Sequence, residues 1–282
     1  SNSAVKRALC SAVTDRNVKI SFVLDNTTDF AKAEELLACQ PKSGKAKDKH
    51  KLFKRGHVAG IGYAHNKLFI VNPNDKQKMK LVFSSGNMTS GVAVHHENWH
   101  FIVVNSESYF AQTHLCLKEG VLNHAGSGKE YSDFIQNCRD KITTPEEEDI
   151  KTFFVPGEGR EATKYMTDAI FKAKNVYIGA HRFSYTAMIA ALSSKLNNNS
   201  VDMRIIVDDD TYWTGKGENV GDIQSNESYA VRDLEKKGAK VKYMETNHDM
   251  HLLHHNKFLI FTGGSLKESA VFAGAGNLTG TA

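Results

Sequence analysis

The sequence contains no apolar run approaching the roughly 18 to 20 residues that span a bilayer, and its first residues lack a basic-then-apolar signal pattern. Only 4 of its 282 residues are proline, with 40% hydrophobic and 24% charged, which excludes a collagen-like, coiled-coil or disordered chain. The four cysteines, Cys10, Cys39, Cys116 and Cys138, form no CxxC and no Cys/His cluster, so neither a zinc site nor a thioredoxin-like pair is expected. Their even number allows disulfides Cys10–Cys39 and Cys116–Cys138, or equally four buried thiols. Formal charge is only +4 (36 basic against 32 acidic residues), which suits a polyanionic partner without requiring one. At about 150 residues per domain, this length predicts two domains or one large duplicated unit.

What the chain does contain is a repeat. His65-Asn66-Lys67-Leu68-Phe69-Ile70 returns as His255-Asn256-Lys257-Phe258-Leu259-Ile260. Each copy is followed by a Gly-Asn-x-Thr, in Ser85-Gly86-Asn87-Met88-Thr89 and Ala275-Gly276-Asn277-Leu278-Thr279. The step from His to Asn is 87 − 65 = 22 in one copy and 277 − 255 = 22 in the other. Upstream, Ser1–Val5 (SNSAV) resembles Ser184–Met188 (SYTAM), each opening a helix-like segment. Two strands rich in β-branched residues follow, Val18–Asp25 and Val201–Asp208, and both end in Asp.

The unit is therefore helix, strand, loop and a strand carrying His-x-Lys, which predicts an α/β sheet in each half. Between the copies, Glu107–Leu122 reads as a helix, Gly126–Gly128 as a turn and the acidic Pro145–Asp149 as the connection. Phe153–Pro156 then reads as a strand, Glu161–Lys174 as a helix and Val176–Gly179 as a strand. The halves divide at 1–145 and 146–282. The second copy's opening has no counterpart before Ser1, and the first copy's Glu97-Asn98-Trp99 to Val104 has none before Ala282. The expectation is a missing strand and helix at the front and a missing strand at the back.

The paired His-x-Lys motifs with their downstream Asn elements resemble the phospholipase D superfamily over nearly the whole chain. That resemblance implies a duplicated α/β/α sandwich with pseudo-twofold symmetry, a mixed β-sheet in each half, and one active site where the halves meet. It implies phosphodiester cleavage through a phosphohistidine, with no metal and no cofactor. By the same resemblance, His65 is the nucleophile and His255 the general acid. Family members often carry Asp five residues after the motif Lys; here Asn72 and Thr262 stand there. Glu97 resembles the glutamate that orients a catalytic histidine in nuclease-like members and is expected to support one of the two.

The residue types suit this chemistry on physical grounds. A neutral imidazole can attack phosphorus while a protonated one donates to the leaving oxygen, both with an unperturbed pKa near 6.5. Two lysines and two carboxamides can hold the phosphoryl oxygens as charge gathers on them. His65, Lys67, Asn87, His255, Lys257 and Asn277 are therefore expected around one phosphate, supplied by a single chain.

Each feature also has a blander meaning. A lone His-x-Lys on a strand follows from alternation, and the glycines beside the Asn residues serve tight turns. His95 and His96 are adjacent rather than spaced i, i+4, so a metal site there is not favoured; His251 and His254 stay unassigned. Asp208-Asp209-Asp210 reads as a solvated strand end before it reads as a magnesium site. Lys42, Lys45, Lys47, Lys49, Lys51, Lys54 and Arg55, against Asp48 alone, form either a solvated loop or a grip on a nucleic-acid backbone.

The leading expectation is thus a nonspecific endonuclease acting on DNA or RNA. The alternative is a phospholipase D acting on phosphatidyl head groups, with Tyr212 and Trp213 as an apolar lip. A scaffold that has lost turnover is disfavoured by the intact motif pairs. The cysteines point to a secreted or periplasmic location.

Overall fold

A computed structural model describes the chain apart from residues 1–2, 29–30, 40–49, 90–93, 199–200, 222, 245–251 and 281–282. The second half is built around β6 (Asn175–Ala180), whose NVYIGA sequence is apolar toward both faces and suits the middle of a sheet. It pairs in parallel with β7 (Asp202–Asp208) and antiparallel with β9 (Lys257–Thr262). β8 (Lys240–Met244) and β10 (Ala270–Ala273) complete a five-stranded mixed sheet of order β10-β9-β6-β7-β8. Gly179 lets the Phe258 ring lie close to the backbone, since a Cβ there would come within 2.6 Å of it and the ring would have to move.

The helices α5 (Gly159–Lys172), α6 (Thr186–Asn197) and α8 (Ser225–Lys236) supply Ile170, Met188, Leu192, Val231 and Leu234 to one core. Ile178, Ile205, Val207, Leu259 and Phe261 of the sheet meet them there. A short α7 (Asp210–Thr214) follows β7 directly.

The first half departs from the expected single mixed sheet: among the described residues its strands form two separate sheets, one parallel and one antiparallel. α1 (Ser3–Arg16) leads to β1 (Ile20–Asp25), then α2 (Ala31–Leu37) and β2 (His50–Arg55), which pairs in parallel with β1. β3 (Leu68–Val71), β4 (Met79–Ser84) and β5 (Trp99–Val104) form a separate antiparallel ladder. α3 (Tyr109–Asn123) brings Phe110 and Ala111 against Met79 and Leu81 on one face of it. The other face carries Phe69, Val71, Val103 and Phe101, the last 75% exposed. Their repeat counterparts to Phe69 and Val71, Leu259 and Phe261, are buried in the second half's core.

α3 begins where Ser108 caps it, its hydroxyl accepting from the Ala111 N–H. The turn expected at Gly126–Gly128 instead starts α4 (Gly128–Arg139), because Ser127 accepts from the Glu130 N–H and caps a further helix. Cys116–Cys138 staples α3 to α4 and Cys10–Cys39 joins α1 to the end of α2, with Cα separations of 5.8 and 5.5 Å. All four cysteines are thus disulfide-bonded rather than free thiols.

The strand expected at Phe153–Pro156 is absent. The Phe154 N–H goes to the Glu158 carboxylate (2.6 Å) instead of a ladder, and Pro156 has no N–H to give. No helix among the described residues is long and apolar enough to cross a membrane.

Candidate active site

Both motif histidines stand just ahead of their strands rather than inside them, since β3 starts at Leu68 and β9 at Lys257. Each motif lysine turns back on its own copy: Lys67 Nζ donates to the His65 carbonyl and Lys257 Nζ to the His255 carbonyl, both at 2.8 Å. The two lysines are buried, 6% and 2% exposed. Burial lowers Lys67 to a pKa of about 8 and Lys257 to about 7, with Glu97 opposing the shift in both. That one carboxylate acts on both lysines brings the two copies into a single electrostatic cluster.

His65 belongs to the same cluster. Desolvation, then the charges of Lys67, Lys257 and His255, lower it to about 4, while a hydrogen bond to the Ala275 backbone opposes them. Ala275 is the residue two before Asn277, so the second copy's Asn loop touches the first copy's histidine. His65 is more exposed than His255, and water screens part of these charges.

The loop between β4 and β5 crosses to the other half and binds the second motif. The His96 N–H donates to the Leu253 carbonyl and the His255 N–H to the His96 carbonyl, both at 2.9 Å. The Lys257 N–H donates to Asn98 Oδ1 (3.0 Å). Glu97 sets both carboxylate oxygens 3.0 Å from His255 Nδ1, and Ser85 Oγ donates to its Oε2 (2.5 Å). Ser85 in turn accepts from the Asn98 N–H (3.0 Å).

His255 therefore has its Nδ1 side fixed on a carboxylate. Burial lowers its pKa and Glu97 pulls it back up; Glu97 itself is lowered despite burial, chiefly by the hydrogen bonds from His255 and Ser85.

The Asn pair is less symmetric. Asn277 is half-buried, its Oδ1 enclosed without a partner among the described residues, whereas Asn87 is exposed. His181, which the sequence did not single out, and His254, which it left unassigned, join the cluster. His181, just past β6, packs its ring 4.9 Å from that of His255, and burial holds it well below 6.5. His254 is buried with both ring nitrogens unpartnered among the described residues. Ser85 and Asn98 were signalled only by lying next to Gly86 and Glu97; His181 had no signal.

The strand end expected to be solvated is buried at Asp208, Asp209 and Asp210, because Asp208 accepts the His254 N–H (2.5 Å) and the Asp210 N–H (3.0 Å), a structural use of that carboxylate. Asp208, Asp209 and Asp210 are the one group of metal-ligating atoms gathered among the described residues. In the basic run, Lys42, Lys45, Lys47 and Lys49 lie outside the described residues, as does His251. Lys51, Lys54 and Arg55 lie on β2, and the Arg55 guanidinium is spent on the Val121 and Leu122 carbonyls.

No protein-family model matches the chain, and no curated protein matches it either. Among solved structures it is similar in fold to the polyphosphate kinase of Porphyromonas gingivalis, with a TM-score of 0.56 and 14% identity over 99% of this chain. A phosphatidylserine synthase of Haemophilus influenzae Rd KW20 gives a TM-score of 0.43 and 13% identity over 74% of this chain and 60% of its own. The chain spans 36% of the kinase's length, and the likeness is one of fold: a mixed α/β architecture with several sheets.

Proposed function

We propose that this chain is a metal-independent phosphodiesterase of the phospholipase D type, cleaving nucleic acid through a phosphohistidine. The observation that carries the reading is the clustering of both His-x-Lys copies about one carboxylate, with Glu97 of the first half bonded to His255 of the second. In this reading His65, neutral above about pH 4, attacks phosphorus; an N–P bond forms and the P–O bond to the leaving group breaks. The leaving oxygen takes the proton of His255 Nε2–H, whose imidazolium is stabilised by Glu97.

Water then gives a proton back to His255 as its oxygen attacks phosphorus. The N–P bond breaks and both histidines return to their starting states. Lys67, Lys257, Asn87 and Asn277 hold the non-bridging oxygens, and a phosphate arriving beside the two depressed lysines favours their charged forms. Nucleic acid is the substrate class that the basic run 42–55 suits, and the two disulfides suit an oxidising compartment.

The test is incubation with plasmid, single-stranded DNA, RNA and phospholipid vesicles in excess chelator, beside a His65→Asn control. Nucleic-acid cleavage that survives chelation and vanishes in the control supports the reading. Head-group release from vesicles alone replaces the substrate with phospholipid. Cleavage abolished by chelator defeats the mechanism.

A further inference from the structure

We propose that Asp25 and Asp208 are a matched pair of positioning residues, each fastening the residue immediately before a reaction-centre histidine; the proposal rests on the phosphodiesterase reading. The two aspartates end the equivalent strands β1 and β7. Asp25 Oδ2 accepts the N–H of Ala64 at 2.7 Å, and Asp208 Oδ2 accepts the N–H of His254 at 2.5 Å. Ala64 precedes His65 as His254 precedes His255, so the same oxygen makes the same bond at the same place in both copies.

The second oxygen is matched as well. Asp25 Oδ1 accepts the N–H of Thr27 (3.0 Å), and Asp208 Oδ1 accepts the N–H of Asp210 (3.0 Å), each two residues on. One carboxylate thus closes the turn leaving its own strand and reaches across to the histidine segment.

Loop length does not impose this geometry. From Asp to His the chain runs 65 − 25 = 40 residues in the first copy and 255 − 208 = 47 in the second, through unrelated sequences. Gly56 shows the contact being accommodated: at φ +84°, a Cβ there would lie 2.8 Å from Asp25 Oδ2 and 2.9 Å from the Ala64 nitrogen. A larger residue would sit in the path of the bond.

A carboxylate fits because two N–H donors face its two oxygens. Burial raises the pKa of both groups and these bonds oppose it, leaving Asp25 at about 2 and Asp208 at about 7, so the two variants are compared above pH 7. Asparagine offers only one acceptor and would turn an NH₂ toward the other donor. The copies differ in how redundantly they are held. His255 is also fixed by Glu97 and, through its own N–H, by the His96 carbonyl, whereas His65 has no carboxylate partner among the described residues and leans on the Ala275 backbone. Loss of Asp25 therefore weighs more on turnover than loss of Asp208.

The experiment compares Asp25→Asn and Asp208→Asn with wild type, using Asp202→Asn at the opposite end of β7 as control. It measures hydrolysis of bis(p-nitrophenyl) phosphate in chelator, thermal melting, and amide exchange over 64–67 and 254–257. Because a displacement of about 1 Å costs on the order of 100-fold, kcat should fall roughly 30- to 100-fold, KM should stay within about twofold, and Asp25→Asn should be the worse. Exchange should rise over 64–67 only in Asp25→Asn and over 254–257 only in Asp208→Asn, in protein that is still folded. Unchanged kcat, a loss that merely tracks unfolding, or unaltered exchange at those amides overturns the proposal. Inert wild type with the expected exchange pattern instead overturns the phosphodiesterase reading and leaves the two anchors standing.

Discussion

Replacing Glu97 by Gln keeps the shape of the side chain and removes its charge from His255. The carboxylate is 3% exposed, so water cannot take its place, and both of its oxygens lie 3.0 Å from Nδ1. A hydrogen bond to a charged group contributes about 1.5 to 3 kcal/mol, which at about 1.36 kcal/mol per decade is roughly a 10- to 150-fold loss in kcat. The pH profile should move in a defined direction. Glu97 raises the pKa of His255 against the burial that lowers it, so its removal lowers that pKa further. On the proposed mechanism His255, as general acid, then loses its proton at lower pH, and the alkaline limb of kcat shifts toward acid.

On the proposed mechanism the acid limb belongs to His65, at about 4, and should hold its place because Glu97 is not among the groups that set it. Wild type should therefore work best on the acid side of neutrality. The assay is hydrolysis of an activated phosphodiester across pH 4 to 9, with melting curves confirming the fold. A loss under about threefold, or an alkaline limb that moves upward, would refute both the acid role of His255 and the worth of its carboxylate.

Lys257 offers an opposite signature. Burial brings it from 10.5 to about 7, so between those values the unfolded chain holds the proton that the folded chain has released, and stability rises with pH across that window. Lys257→Met should flatten that rise and raise Tm at pH 7 by a few degrees, scanned by calorimetry, while abolishing turnover. For the disulfide that staples α3 to α4, the sequence separation of 22 corresponds to about 3 kcal/mol of loop-closure entropy, so Cys116→Ser with Cys138→Ser should lower the denaturation midpoint accordingly.

The repeat made the plan of the molecule legible, because matched residue types at a matched spacing reflect matched strands. β1 and β7 fell near their expected bounds, as did α3, α5 and β6, where β-branched or amphipathic patterns were strong. Phe153–Pro156 was misread because an apolar run carries no sign of where its N–H groups go; here Glu158 took one. α4 was missed because its opening looks like a glycine turn until Ser127 is seen to cap it.

Glu97 was visible as a support without its client being visible. It lies 32 positions from His65 and 158 from His255, and no linear pattern says that the loop crosses to the distant copy. His181 was invisible because it has no repeat partner in the chain.

The crossing of the β4–β5 loop bears on how such a molecule can change over generations. Each half carries part of the other's instructions, so exchanging one half for that of a cousin would deliver a histidine to a seat whose Ser85, His96, Glu97 and Asn98 were shaped for someone else. The two copies of the repeat are a lock and its own key, free to drift only together.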